Sequence, residues 1–272
     1  MPLKTIVGAI LGVVLLTPVA ASAEPVPVLH VEGLVRGFLS LRSLDGKLLA
    51  SGDLIQNAHG NRVTARLVFR FKDGSTNDET AVFSQDGHFQ LLTDHLVQKG
   101  PAFSTPLDMT IDRASGKVTV KYRNDKGEEK VEDEKLDLPD DLANGIIIML
   151  LKNIKPDAAP ASFSFVAATP KPRLVKLKIS TAADDLFSTA GTSRKATHYV
   201  LKVDIGGFAG VVAPLIGKEP PDQHVWILQG EAPAFVKSES TLFMGGPIWR
   251  MELVSPVWPK PRATANTTQS QK

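Results

Sequence analysis

Apolar and polar residues alternate along most of this chain with a period of two. Leu67, Phe69 and Phe71 fall on one face of a segment whose other face carries Arg66, Arg70 and Lys72. Val118, Val120 and Tyr122 likewise oppose Lys117, Thr119, Lys121 and Arg123. Further on, Val175, Leu177 and Ile179 alternate with Lys176 and Lys178. Tyr199, Leu201, Val203 and Ile205 alternate with Lys202 and Asp204, and Trp249, Met251 and Leu253 with Arg250 and Glu252. A strand sends successive side chains to opposite faces, so such segments read as strands with one side in a core and the other in water. In the first half they are separated by Gly46, Gly60, Gly74, Gly87, Gly100, Gly116 and Gly127, at intervals of 11 to 16 residues. Several of these glycines follow Asp, a pairing that favours tight hairpins. The expectation is an antiparallel meander.

One stretch breaks the alternation. After Leu138-Pro139-Asp140-Asp141, the residues Ile146, Ile147, Ile148, Met149, Leu150 and Leu151 run without a polar face. Proline and acids suit the first turn of a helix, and a helix apolar all round is buried all round. This predicts a central helix over about 140–153, with Asn144-Gly145 marking a point where it can break. About six strands precede the helix and four or five follow, with no strand–helix alternation of the kind that builds parallel sheets. The fold class expected is mainly β: an antiparallel meander forming an open or half-closed barrel around one apolar helix.

Composition adds a compartment. Lys4 precedes an uncharged run from Ile6 to Leu16, and Ala21-Ser22-Ala23 follows it, the three-part pattern of a secretory signal cleaved between Ala23 and Glu24. The run is too short for a spanning helix, and no other stretch reaches that length. The expected organisation is a signal peptide over 1–23, a single β-rich domain over 24–258, and a polar, disordered tail over 259–272. The protein is then exported, periplasmic or secreted, and not integral to a membrane. Cysteine is absent, which excludes disulfides and thiolate chemistry. Basic and acidic residues are interspersed at a net charge of +2, so nucleic acid is not an expected partner.

Chemical motifs are sparse. His88 and His95 are separated by an odd number of residues and would face opposite ways on one strand, so no metal site is assigned. The acid-rich run from Asp125 to Asp141 lacks the spacing of a calcium loop and reads as a solvated hairpin. No nucleophile elbow or His-Glu-x-x-His pattern occurs, and the Gly206–Lys218 segment departs from a phosphate loop at Val212 and Glu219. No catalytic residue and no cofactor is assigned. The segment 206–217 is unusual in another way, being free of charge and hinged by Gly206, Gly207, Gly210 and Gly217. It is either a buried connector or a lid whose Phe208, Val211, Val212, Leu215 and Ile216 meet a ligand together with Ile146, Met149 and Leu150 of the helix.

Three stretches carry a resemblance: Leu136-Asp137-Leu138-Pro139-Asp140-Asp141-Leu142-Ala143-Asn144-Gly145, the run from Gly217 to Ile227, and Gly245-Gly246-Pro247-Ile248-Trp249-Arg250. Together they resemble uncharacterised exported β-rich proteins of Gram-negative bacteria. The order of elements is similar to domain-of-unknown-function families with an open β-barrel, distantly like periplasmic lipoprotein carriers. The resemblance implies a curved antiparallel sheet wrapped partly around the helix, and brings no catalytic residues. The leading expectation is a non-catalytic module for an apolar or lipidic ligand. An envelope scaffold with a filled core is the alternative, and a carboxylate-dependent hydrolase the third; no protein partner is identified.

Overall fold

The protein is described here by a computed structural model covering residues 25–124, 126–158, 161–189, 191–204 and 220–255. The expected signal peptide, the 206–217 loop and the C-terminal tail lie outside the described residues. Eight strands come first: β1 (Val35–Ser43), β2 (Leu48–His59), β3 (Arg62–Phe71), β4 (Thr76–Asp86), β5 (His88–Lys99), β6 (Leu107–Asp112), β7 (Lys117–Arg123) and β8 (Glu129–Lys135). A short helix α1 (Ile147–Lys152) follows. Then come β9 (Ala161–Ala167), β10 (Arg173–Thr181), β11 (Asp185–Thr189), β12 (Thr192–Asp204), β13 (Gln223–Leu228), β14 (Ala234–Ser240) and β15 (Trp249–Leu253).

All fifteen strands join one sheet in the order β8-β7-β6-β5-β4-β3-β2-β1-β15-β14-β13-β12-β10-β9, with β11 branching from β12. Every pairing is antiparallel. The two halves of the meander are thus sewn together by β1 and β15, the first and last strands. The predicted glycine turns are where the chain reverses. Gly87, at φ 69°, leaves Asp86 and His88 directly paired across the tightest of them, a conformation that glycine adopts without a Cβ penalty.

Inward positions form two clusters. The larger gathers Phe83, Phe89, Leu91, Met109, Ile111, Val118 and Val120 from the first half with Phe163, Ile179, Tyr199 and Leu201 from the second, around Ile146 and Leu151. The smaller, at Leu39, Leu41, Ala50, Phe69 and Trp249, is topped by Phe71 and Phe243. Phe103 joins this end by edge-on contacts with both of those rings. Phe235 packs against both clusters.

The helix is shorter than the sequence suggests, six residues rather than the 140–153 expected. Gly145 stops it from extending backward: it sits at φ +66°, outside helical space. The residues before it are claimed by a strand edge. Ala143 N–H donates to Ser164 O (2.9 Å), and Ser164 N–H to Asp141 O (3.2 Å). The Asn144 side chain then acts as one more rung: its Nδ2 donates to Val166 O (2.9 Å) and its Oδ1 accepts from Val166 N–H (2.8 Å). Apolar content alone does not make a helix when the backbone groups have a better partner in an open ladder.

That partner is β9, one terminal strand of the sheet; β8 is the other. The two do not pair. Residues 136–146 form a strap across the seam, beginning where Leu136 N–H meets Gly116 O (2.9 Å). Asp140 receives Gln90 Nε2 (2.9 Å) and pairs with Arg113, and the strap then docks on β9. The free edge of β8 is Glu-Lys-Val-Glu-Asp-Glu-Lys, almost entirely charged, which discourages further strand addition.

Asn144→Ala should remove two buried rungs at once and leave the Val166 N–H and C=O without partners, a cost of about 2–4 kcal/mol. Chemical denaturation of the two proteins checks this; a loss of a few tenths would mean that the seam is not held by Asn144.

Candidate functional site

The interior face between the two clusters is not uniformly filled. Gly37 on β1 pairs with Leu54 on β2, Leu54 with Leu67 on β3, and Leu67 with Glu79 on β4. Leu54 and Leu67 lie on the inward alternation and remain half-exposed, while the inward neighbours Leu39 and Phe69 are buried. Leu253 on β15 flanks the same spot. A Cβ placed on Gly37 would lie in ordinary contact with Leu253 Cδ2 (3.7 Å) and Leu54 Cβ (3.8 Å), so the glycine leaves room for about one methyl group in this half-open row, a furrow. Met251, half-exposed beside Leu253, continues its wall. From Gly37 to Glu79 the furrow crosses three strand spacings, about 14 Å.

The furrow ends at acids. Glu79 is half-buried, and Asp94, behind it on β5, is 1% exposed. Asp94 faces inward because of a bulge. Val82 pairs with Thr93 but Phe83 pairs with Leu91, so Leu92 is an extra residue that shifts the alternation by one. Phe89 and Leu91 point in before the bulge; Asp94, Leu96 and Gln98 point in after it. His95 is turned outward and pairs with Asp108 at 3.0 Å. The same bulge puts His88 and His95 on the outer face together, where a regular strand would separate them. Among the described residues, no three metal-capable side chains converge.

Among the described residues neither oxygen of Asp94 has a well-formed hydrogen bond; the only donor near it is the His95 N–H. Gly145 of the strap lies over this carboxylate: a Cβ there would come within 2.8 Å of Asp94 Oδ1 and 2.6 Å of Ala81 Cβ. Burial and the nearby Glu79 charge hold the Asp94 carboxyl well above the usual range, with only slight relief from the His95 N–H. Burial likewise pushes Glu79 up to about 7. The other buried acids are matched. Glu32, 4% exposed, pairs with Lys152 Nζ at 2.5 Å and accepts from Gln56 Nε2 at 2.9 Å. Asp141 accepts from Lys176 Nζ (2.8 Å) and Ser164 Oγ (2.7 Å). Lys176 also reaches Ser164 Oγ at 2.8 Å, but that hydroxyl is fully enclosed and closed to a substrate.

A second constellation lies on the outer face of β12–β14. His198 stacks on Trp226 with ring centres 4.2 Å apart, and its Nε2 lies 2.9 Å from His224 Nδ1. Trp226 Nε1 donates to Asp185 on the β11 branch (2.6 Å), and Lys237 Nζ caps the indole at 3.9 Å. Burial, then His224, holds the His198 imidazole below its ordinary range, which favours its neutral form. The polar contacts here are mutually satisfied and anchor the β11 branch to the sheet. On β5–β7, Thr93, Asp94, His95, Thr110, Ile111, Asp112, Lys117 and Thr119 line an open depression of about 310 Å³.

Of the residues expected to meet a ligand, Ile146, Met149 and Leu150 are buried in the larger cluster, at 1%, 7% and 3% exposure. The half-exposed apolar residues of α1 are Ile147 and Ile148. Phe208, Val211, Val212, Leu215 and Ile216 lie outside the described residues. Sequence reasoning missed Leu54, Leu67, Glu79 and Asp94; the two leucines carry an ordinary strand signal, and the bulge conceals the acid.

Stability should depend on pH with the reverse of the usual sign for carboxylates. Raised values mean that the folded state favours the protonated forms, so this contribution is complete below the ordinary glutamate value of 4.5. It is lost as pH rises from there through about 7. Glu79→Gln should flatten that fall in melting temperature; an unchanged pH profile would show that the Glu79 carboxyl is solvated.

No family model matches the chain, and no curated protein matches it. Among solved structures it is similar to the β-barrel-like protein of domain of unknown function DUF1849 from Brucella abortus. The identity is 10%, over 82% of this chain and 96% of that one, with a TM-score of 0.48. In its own described residues this chain is one antiparallel sheet, not closed by strand pairing, with one short α-helix.

Proposed function

We propose that this protein is an exported, non-catalytic module that binds an apolar or lipidic molecule along the inner face of its sheet. The observation that carries the reading is the furrow of Gly37, Leu54, Leu67, Met251 and Leu253. It is a run of apolar side chains left partly open on a face whose neighbouring rows are packed shut. Half-open apolar surface in a concave setting gains from covering, at about 25 cal/mol per Å² of area removed from water. Export rests on the signal-like residues before Glu24. Among the described residues no helix is long and apolar enough to cross a membrane. The 206–217 segment, with its apolar side chains, is assigned to the same ligand as a cover.

A scaffold role is the second reading, and the density of the two clusters favours it. The two differ in what a polar substitution in the furrow does. Leu54→Gln with Leu67→Gln should abolish the fluorescence enhancement of N-phenylnaphthylamine, a neutral apolar probe, while lowering the melting temperature only slightly. A wild-type protein that fails to bind the probe, or a double variant that binds it equally well, returns the protein to the scaffold reading.

A further inference from the structure

The acids at the end of the furrow narrow the chemistry of the occupant. Three acidic side chains are almost completely buried among the described residues, and two of them have a lysine. Asp94 has none, and neither of its oxygens has a well-formed hydrogen bond. Its immediate surroundings are Ala81, the backbone of Gly145 and the second carboxyl of Glu79. Among the described residues no lysine or arginine pairs with Glu79 either, although Arg66 and Arg70 lie on the adjacent strand. Their register turns them outward, where Arg66 meets Asp78 and Arg70 meets Asp53. A buried carboxylate without a countercharge is costly, and proteins pair such groups or bring a cation to them. Here the missing partner would arrive along an apolar channel.

Resting on the reading of the furrow as an apolar-ligand site, we propose that its occupant is a cationic amphiphile, an alkyl chain bearing a single ammonium head, with the tail on Leu54, Leu67 and Leu253 and the head against Glu79. Glu79 is the contacting group, since it retains surface at the furrow. Asp94, enclosed behind it, is a positioning residue: a cationic head would oppose the burial and the Glu79 charge that hold its carboxyl in the protonated form. The arrangement suits a compact monovalent head, since among the described residues no three metal-capable side chains converge on a hard divalent cation. An anionic head would meet two carboxyls and no cation. A neutral alcohol could use the apolar wall but would gain nothing from the charge.

The test compares one chain length with three heads. Dodecylammonium, dodecanol and dodecanoate are each titrated, near neutral pH and below their aggregation thresholds, against N-phenylnaphthylamine bound to the full chain. The expected order places dodecylammonium about tenfold or more ahead of dodecanol, with dodecanoate weakest. Glu79→Gln should bring dodecylammonium back to the affinity of dodecanol without weakening dodecanol itself. Asp94→Asn, which leaves the furrow surface intact, should reduce the same preference to a smaller degree. Equal affinities for the three heads would overturn the cationic assignment and leave the apolar reading standing. The same holds if the ammonium preference survives in both folded variants. Failure of all three compounds, and of the probe itself, would overturn both.

Discussion

The sheet has two ends that do not meet, and the fold depends on what happens between them. A meander of this length could uncurl, because nothing in β8 complements β9: one is charged at every position but Val131, the other is Ala-Ser-Phe-Ser-Phe-Val-Ala. The strap over 136–146 supplies the missing contact. It takes backbone bonds from Ser164 and mimics a strand residue with the Asn144 amide, then turns at Gly145 and delivers α1 into the interior. Curvature, helix placement and the covering of Asp94 all follow from that one passage. Gly145 is tolerable there because it needs no Cβ where Ala81 and Asp94 already press close.

The interior is more polar than a barrel of this size requires, and its polar groups fall into two kinds. Glu32 and Asp141 are satisfied and do structural work. The first ties the segment before β1 to Gln56, Gln85 and Lys152; the second ties the strap to Ser164 and Lys176. Asn153 extends the first network by accepting from the backbone of Leu29 and His30. Glu79 and Asp94 belong to the other kind. They stabilise nothing that the structure displays and destabilise one another when both are charged.

The alternation of Leu67, Phe69 and Phe71, or of Val118, Val120 and Tyr122, specifies strands because each has one wet face, and periodicity carries that information directly. The antiparallel meander and the buried isoleucine-rich stretch were legible for this reason. The helix boundary was not, because Pro139, Asp140 and Asp141 read as a first helical turn; what makes them a strap is the hydrogen-bonding demand of β9, a non-local partner. The candidate site was less legible still. Gly37 reads as an ordinary strand residue until Leu253, from the far end of the chain, lies beside it. Asp94 reads as a surface acid because two-residue counting from Leu91 puts His95 inside, and only the unpaired Leu92 reverses that assignment.

A barrel closed by strand pairing has its radius dictated by strand number and stagger, so its lumen cannot change without breaking a ladder. The seam here works as an expansion joint. Its two sides are linked by a strap whose bonds to β9 are few and whose contacts on the other side come through the Leu136 N–H and the side chains of Arg113, Gln90 and Asp140. Arginine and glutamine side chains can follow a small displacement that a register of backbone bonds cannot. Girth therefore becomes a soft coordinate of this fold. The calibre of the interior can adjust by the slack in a few side chains while every strand keeps its neighbour.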